Sequence, residues 1–369
     1  MHNSDANVLN DLIRYQDETG QERPAILCED RTINYGEFYE DVGRAARMLL
    51  GFGIQKGDLV GLMFPNRPEM LFLYFACFRI GVIVVPVNTR YQRPEIEYAL
   101  DHSECRLLIV DKLYFSAVDG LEQSVSSLER ILVRHGESSQ KEEALHIHLA
   151  NAPSTIDWPE VHPEDPAVIF YTSGSTSRPK GVTHTHFSLL ANARIQVATR
   201  EIQPDTVWLV STGVGYIAGL SGVTLPAFLA GCSLVLVHDL QADNLLRAIE
   251  RFRADTTLML PTMMLEMLES PLSENTDLGS MKACFVAGDE CSPDLYQRYR
   301  DRMGRDLLQA YIEWEPGSAH ADLNALQDWV ASRLAAYKVP DRWQSMDHLP
   351  KTATGKLDRK LLHQTTKAI

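Results

Sequence analysis

Between Tyr171 and Gly181 the chain reads Tyr-Thr-Ser-Gly-Ser-Thr-Ser-Arg-Pro-Lys-Gly. Residues of these types at this spacing can hold phosphates. Small residues let the backbone approach an anion closely. Amide N–H groups and hydroxyls donate to its oxygens, and Lys180 adds a full positive charge. The string is not a Walker A loop, because Pro179 stands where that pattern needs its second Gly. A mobile polar surface loop has a similar composition. Holding phosphate calls for a buried strand before the loop and a helix after it. Pro166–Phe170 is a short apolar run that reads as the strand, and Val182–Thr199 reads as the helix.

The chain has 369 residues, enough for two domains or one large one. Hydrophobic residues make up 45% and charged residues 23%, the balance of a soluble globular protein. The net charge of −14, from 35 basic and 49 acidic residues, argues against a nucleic-acid partner. The start, Met1-His-Asn-Ser-Asp-Ala, lacks the regions of a signal peptide. The longest apolar stretch, Met70–Val87, is interrupted by Arg79 and Gly81 and ended by Pro86. It reads as a buried helix followed by a buried strand, not a membrane span. The cysteines Cys28, Cys77, Cys105, Cys232, Cys284 and Cys291 are scattered. They read as free thiols in a reducing, cytoplasmic compartment. His146 and His148 could share one face of a strand, but no third residue completes a zinc set.

Strands and helices alternate ahead of the loop. Asp5–Thr19 looks like an amphipathic helix, and Ala25–Cys28 and Thr32–Asn34 look like short strands around a turn. In the run Tyr35–Leu50, Phe38, Val42, Ala45, Ala46 and Leu49 recur at helical spacing. Leu59–Phe64, Val82–Val87 and Arg106–Val110 read as strands, with helices between them. Such alternation implies parallel pairing with helices on the sheet faces. Behind the loop, His184-Thr-His186 reads as a helix start, explained by capping. Val207–Ser211, Ser233–Val237, Thr257–Leu260 and Lys282–Ala287 read as further strands.

The loop resembles the phosphate loop of the adenylate-forming (AMP-binding) superfamily of acyl- and aryl-CoA synthetases, Y-T-S-G-[ST]-T-G-x-P-K-G. It departs only at Ser177, where that pattern has Gly. Gly81–Asn88 and Leu107–Asp111 resemble the same superfamily. Gly213–Leu220 resembles the segment bordering the acyl pocket, with Tyr216 in place of a His. Tyr216 either stacks on a substrate or fills core. Gly213, Gly215 and Gly219 suggest room for a bulky group. Gly288-Asp-Glu-Cys-Ser-Pro293 resembles the turn that lies against adenine, although Asp289 could equally cap the next helix.

Tyr311-Ile-Glu-Trp-Glu315 resembles the family's Y-G-x-T-E, with Ile312 and Trp314 replacing Gly and Thr. After Glu315 the text jumps to a segment similar to the late C-terminal lid. The stretch that would carry the ribose-binding Asp and the hinge is missing. Asp322 is expected to cap a helix striped by Leu323, Leu326, Val330 and Leu334. Pro350–Arg359 resembles the lysine-bearing P-K-T-x-[ST]-G-K-x-x-R.

The resemblance implies an α/β fold. It has a large N-terminal domain of mixed sheets flanked by helices, similar to acetyl-CoA synthetase, over residues 1–311. A small truncated α+β C-terminal lid follows over residues 312–369. It implies ATP, magnesium and CoA as cofactors and a fatty or aromatic carboxylic acid as substrate. Thr172, Ser173, Gly174, Ser175, Thr176 and Lys180 would hold the phosphates, and Gly288, Asp289 and Tyr311 would border the adenine. Tyr216 and Gly219 would line the acyl pocket, Glu315 would bind magnesium and Lys356 would bridge carboxylate and α-phosphate. The alternative is a non-catalytic remnant that keeps the fold, with or without nucleotide binding. A lone helix and strand cannot cover themselves, so residues 316–369 are expected to associate between copies, giving a homo-oligomer, or to be partly disordered.

Overall fold

In a computed structural model of the chain, the structure describes residues 6–136, 143–172, 179–289, 291–303, 309–313, 322–333, 342–346 and 348–351. The chain divides into two units. One comprises Met1–Leu260 and Ser270–Gly288, the other Pro261–Glu269 and Asp289–Ile369.

The strands of the first unit, in chain order, begin with β1 (Pro24–Leu27), β2 (Thr32–Asn34), β3 (Leu59–Met63), β4 (Ile83–Pro86) and β5 (Leu107–Asp111). There follow β6 (Arg130–Arg134), β7 (Glu143–Ala144), β8 (Pro166–Thr172) and β9 (Lys180–Thr185). The last are β10 (Val207–Val210), β11 (Ser233–Leu236), β12 (Thr256–Met259) and β13 (Ala283–Val286). They form two mixed sheets. One has seven strands in the order β7-β6-β5-β3-β4-β8-β9, and the other has six in the order β13-β12-β10-β11-β1-β2. All pairs are parallel except the hairpins β1–β2 and β8–β9. The expected fold class holds for this unit, with both sheets mixed and flanked by helices.

Local chemistry explains the helices. After α1 (Asn10–Gly20), helix α2 (Tyr35–Gly51) starts from a capping box in which Asn34 and Glu37 bond each other's backbone N–H at 2.9 and 2.7 Å. Its stripe Phe38, Val42, Ala45, Ala46 and Leu49 is buried. Helix α3 (Pro68–Ile80) has Pro68 in its first turn and ends on Gly81 at φ 67°, a conformation glycine adopts without cost. Nearly all its residues are buried, so it is a core helix. Arg79, the charge that interrupts it, stacks its guanidinium 3.9 Å from the Trp158 ring centroid. The Met70–Val87 run is thus a buried helix and strand, and among the described residues no helix is long and apolar enough to cross a membrane.

Alternation along the strands defines the layers. Val60, Leu62 and Val84 join the large core that contains α2, α3 and the six-stranded sheet's Trp208, Leu234 and Leu258. Met63, Val85, Leu108 and Val110 face the other way, against Ile96 and Leu100 of α4 (Arg93–His102). Phe38, Phe75 and Phe228 meet in tilted and edge-on pairs, with ring centroids 5.3 to 5.8 Å apart. All six cysteines are free, four of them buried.

Two local expectations are corrected. Val182–Thr199 is not one helix: Lys180–Thr185 is strand β9, and the helix runs His186–Arg200. Val182, Thr183 and Thr185 are β-branched and pair antiparallel with β8, and Thr185 then caps the helix by accepting from the Ser188 N–H at 3.1 Å. His146 and His148 lie in a short helix, Leu145–Ala150, where His148 meets Glu143 at 2.9 Å.

In the second unit, strands β14 (Gln309–Glu313) and β15 (Arg342–Met346) pair in parallel, Tyr311 opposite Gln344. Asp322 caps the helix Leu323–Ala331 as expected, accepting from the Asn324 N–H at 3.0 Å. The expected stripe residue Leu334 lies outside the described residues.

Candidate functional site

The β8–β9 hairpin brings the two ends of the Gly/Ser/Thr loop together. Thr172 lies directly across the ladder from Lys180, and Tyr171 across from Gly181. The Thr172 hydroxyl donates to the Lys180 carbonyl at 3.5 Å, and both side chains are exposed. The loop residues Ser173, Gly174, Ser175 and Thr176 lie outside the described residues. Gly181 is a steric requirement: a Cβ there would sit 2.9 Å from Ile169 Cγ2 and 3.5 Å from the Tyr171 ring.

Helix α4 grips this hairpin at both ends of the loop. The Tyr171 hydroxyl and His102 Nδ1 share a hydrogen bond of 2.8 Å, and the Tyr98 hydroxyl donates to the Pro179 carbonyl at 3.1 Å. The Tyr98 and Tyr171 rings meet edge-on, 6.3 Å between centroids. Burial pushes the Tyr171 phenol up to about 12, so it stays protonated. Nothing in the spacing of Tyr98 and His102 announced this contact, because it joins residues about seventy positions apart.

The segment that follows β10 is tied down by groups from the other sheet. Asn66, buried after β3, donates from Nδ2 to the Thr212 carbonyl at 2.9 Å and accepts from the Val214 N–H at 2.8 Å. The Tyr216 hydroxyl donates to Asn88 Oδ1 at 2.7 Å. Asn88 follows β4, which pairs with β8 at Val84 and Val168. Tyr216 is therefore held beside the strand that leads into the loop. It is 40% exposed, which removes core filling as its role. Partial burial raises its pKa, with Arg90 opposing. Asn66 and Asn88 were missed in the sequence. Their signal is a polar residue two or three positions past the end of a largely buried apolar strand.

The glycines here do not open space. A Cβ on Gly219 would collide with the Gly213 carbonyl, and one on Gly213 would lie 2.6 Å from the Tyr216 ring. They allow close approach of backbone and ring, so the expected room for a bulky group does not come from them. Gly288, at φ 92°, follows β13, and the Leu260 side chain fills the place of its missing Cβ. Asp289 is exposed and Tyr311 lies on strand β14. Glu315 and Lys356 fall outside the described residues.

His186 caps nothing with its ring. It is buried, and its Nδ1 accepts from the Leu9 N–H at 3.2 Å. Burial lowers its pKa to about 4, so it is neutral.

The parallel strands β4, β8 and β10 all deliver their carboxyl ends to this region, the edge where open α/β sheets bind ligands. Exposed Thr172 and Lys180, set across the ladder from each other, suit a phosphate-bearing ligand. Among the described residues no group of three or more His, Cys, Asp or Glu could hold a metal.

The sequence profile of the AMP-binding enzyme family matches residues 13–312. A crotonobetaine/carnitine–CoA ligase from Escherichia coli O17:K52:H18 is 30% identical over 262 residues, covering 69% of this chain and 51% of that protein. An indoleacetate–CoA ligase from Aromatoleum aromaticum is 27% identical over 304 residues, covering 78% of this chain and 56% of that protein. The chain spans about half the length of the curated relatives it matches. Among solved structures, an anthranilate CoA ligase in complex with anthranoyl-AMP superimposes with a TM-score of 0.78, at 18% identity, over 100% of this chain and 99% of that one. A long-chain-fatty-acid CoA ligase from Archaeoglobus fulgidus gives 0.74 at 24% identity, over 81% of this chain and 61% of that one. At such identities the likeness is one of fold.

Proposed function

The chain belongs to the AMP-binding enzyme family, and from that premise we propose that it joins a carboxylic acid to CoA at the expense of ATP. The acid's carboxylate attacks the α-phosphorus of ATP, pyrophosphate leaves, and an acyl-adenylate forms. The CoA thiol then attacks the acyl carbon, AMP leaves, and a thioester results. Two anions must meet in the first step, so catalysis rests on positioning and charge stabilisation.

One observation supports this reading above the others. The β8–β9 hairpin sets Thr172 across from Lys180 at the carboxyl edge of the sheet, beside a tethered Tyr216. In this reading Thr172, Ser173, Gly174, Ser175, Thr176 and Lys180 hold the β- and γ-phosphates. Gly288, Asp289 and Tyr311 border the adenine, and Tyr216 and Gly219 border the acid. Lys356, arriving from the 312–369 lid segment, neutralises the α-phosphate. Magnesium, when bound, offsets pyrophosphate charge, with Glu315 as its protein ligand. The acid is fatty or aromatic, as with the indoleacetate and anthranilate ligases among its relatives and structural neighbours. The cytoplasm, where ATP and CoA are available, is the proposed compartment.

Pyrophosphate release with a panel of fatty and aromatic acids tests the proposal. Turnover is expected with at least one acid, reduced about a hundredfold by Lys180→Ala and abolished by Lys356→Ala. Nucleotide binding without release from any acid would replace the ligase reading by that of a non-catalytic scaffold.

A further inference from the structure

The hairpin that carries Thr172 and Lys180 overhangs its sheet. Among the described residues β8 pairs with β4 only at Val168, opposite Val84, whereas its pairing with β9 continues to Thr172. β4 ends at Pro86, which has no N–H to extend a ladder. β9 is an edge strand, exposed from Lys180 to Thr183. A ribbon of two strands is marginal in water by itself, so the loop end of this one needs support from outside the sheet.

Helix α4 supplies that support. Tyr98 and His102 stand four residues apart, on one face of the helix. They reach different arms of the hairpin. Tyr98 donates to the Pro179 carbonyl at 3.1 Å, next to Lys180 in the chain, and His102 shares its 2.8 Å bond with the hydroxyl of Tyr171, next to Thr172. The Tyr98, His102 and Tyr171 rings also pack on one another, with centroids 5.3 to 6.3 Å apart. The helix is itself anchored. Gln92 and Glu95 close a capping box at its start, and Arg93 donates to the Asp119 carbonyl at 2.9 Å. Leu100 packs so closely on β3 that a Cβ on Gly61 would lie 3.0 Å from its Cδ2.

We propose that Tyr98 and His102 are positioning residues of the nucleotide site, holding Thr172 and Lys180 in place for phosphate. Their role rests on the ligase reading's assignment of this hairpin to ATP. Neither side chain needs to touch the nucleotide. Each fixes one arm of the hairpin, so that the hydroxyl and the ammonium are in position before the ligand arrives. Removing either bond frees an arm that binding must then order, and affinity falls. The acid side is spared, because Tyr216 is tethered separately through Asn88.

Calorimetric titration of the full chain with ATP and magnesium tests this, alongside the pyrophosphate-release assay. Tyr98→Phe keeps the ring, loses one hydrogen bond and should weaken ATP binding about fivefold. His102→Ala loses the bond and the ring contacts and should weaken it about tenfold. KM for ATP should rise by the same factors, with kcat and KM for the acid near those of the parent. His102→Asn, whose side-chain amide carries a polar atom close to the place of Nδ1, should recover most of the loss. Asp101→Asn, exposed on the same helix, should match the parent. Where His102→Ala fails to fold, Tyr98→Phe decides alone. Unchanged ATP affinity in these variants overturns the positioning role, and turnover in the parent then leaves the ligase reading standing. Weakened affinity with no turnover from any acid does the reverse. A parent that binds no ATP overturns both. A KM for the acid that rises in step with that for ATP, or no recovery in His102→Asn, would reduce the contacts to general support of the fold and overturn the positioning role as well.

Discussion

His186 illustrates how a residue type misleads when its burial is unknown. Two histidines flanking Thr185 suggested polar capping, and the cap is indeed local, but Thr185 supplies it. The His186 ring instead sits edge-on to Phe78, 5.7 Å between centroids, and serves as a buried acceptor for the Leu9 N–H. Its pKa near 4 in the folded chain compares with about 6.5 in an unfolded one. Asp165 and Asp11 pull it up and Lys56 pushes it down, but desolvation dominates. The unfolded chain therefore takes up a proton that the folded chain refuses. Stability from this group is full above about pH 6.5 and declines by roughly 3 kcal/mol as pH falls toward 4. His186→Gln keeps an acceptor for Leu9 and removes the titration. Urea midpoints measured across this range should fall less steeply in the variant than in the parent. Parallel slopes would show that the ring does not titrate as its burial requires.

At the scale of the element, what the sequence revealed was periodicity, and what it hid was contact. Helix α2 and helix α3 were readable because their caps and apolar patterns are local. The β8–β9 hairpin was not, since its second strand is short, polar and exposed over Lys180–Thr183. Its strand character comes from pairing with β8, not from a buried face. The glycines after β10 were misread for a related reason. A missing side chain signals either space or close approach, and only the neighbours decide. At Gly219 the neighbour is the Gly213 carbonyl. Gly219→Ala must therefore move backbone, which costs on the order of 1–3 kcal/mol. The same shift would disturb the Tyr216–Asn88 bond, which leans on the Gly213–Gly219 packing. A lowered thermal midpoint is expected and, under the proposed ligase reading, a raised KM for the acid with KM for ATP little changed. A variant as stable as the parent would mean that the segment relaxes freely and does not shape the acid site.

Across the whole molecule, neighbouring strands were easier to infer than the sheet each one joins. β3, β4 and β5 come close in sequence and pair together. β1 pairs with β11 although some two hundred residues separate them, and no local pattern carries that information. Stability should follow the same division. Strands β3, β4 and β5 are buried almost throughout, within a seven-stranded sheet covered on both faces. Among the described residues β14 and β15 form a two-stranded sheet, and the helix between them in sequence, Leu323–Ala331, has no fully buried residue and leaves Trp329 56% exposed. A two-stranded ladder is marginal by itself, because too little apolar area offsets the cost of ordering the chain. Its amides should therefore open by local unfolding, at free energies well below the global value that governs β3 and β5. Native-state hydrogen exchange at increasing denaturant measures this directly. The amides of Gln309–Glu313 and Arg342–Met346 should exchange first, with little denaturant dependence, while those of Val60, Leu62 and Ile109 wait for global unfolding. If both sets merge into one isotherm in a monomeric sample, the pair is covered by more of the chain than its own helix. If they merge only as concentration rises, a second copy supplies that cover, as the expected self-association requires.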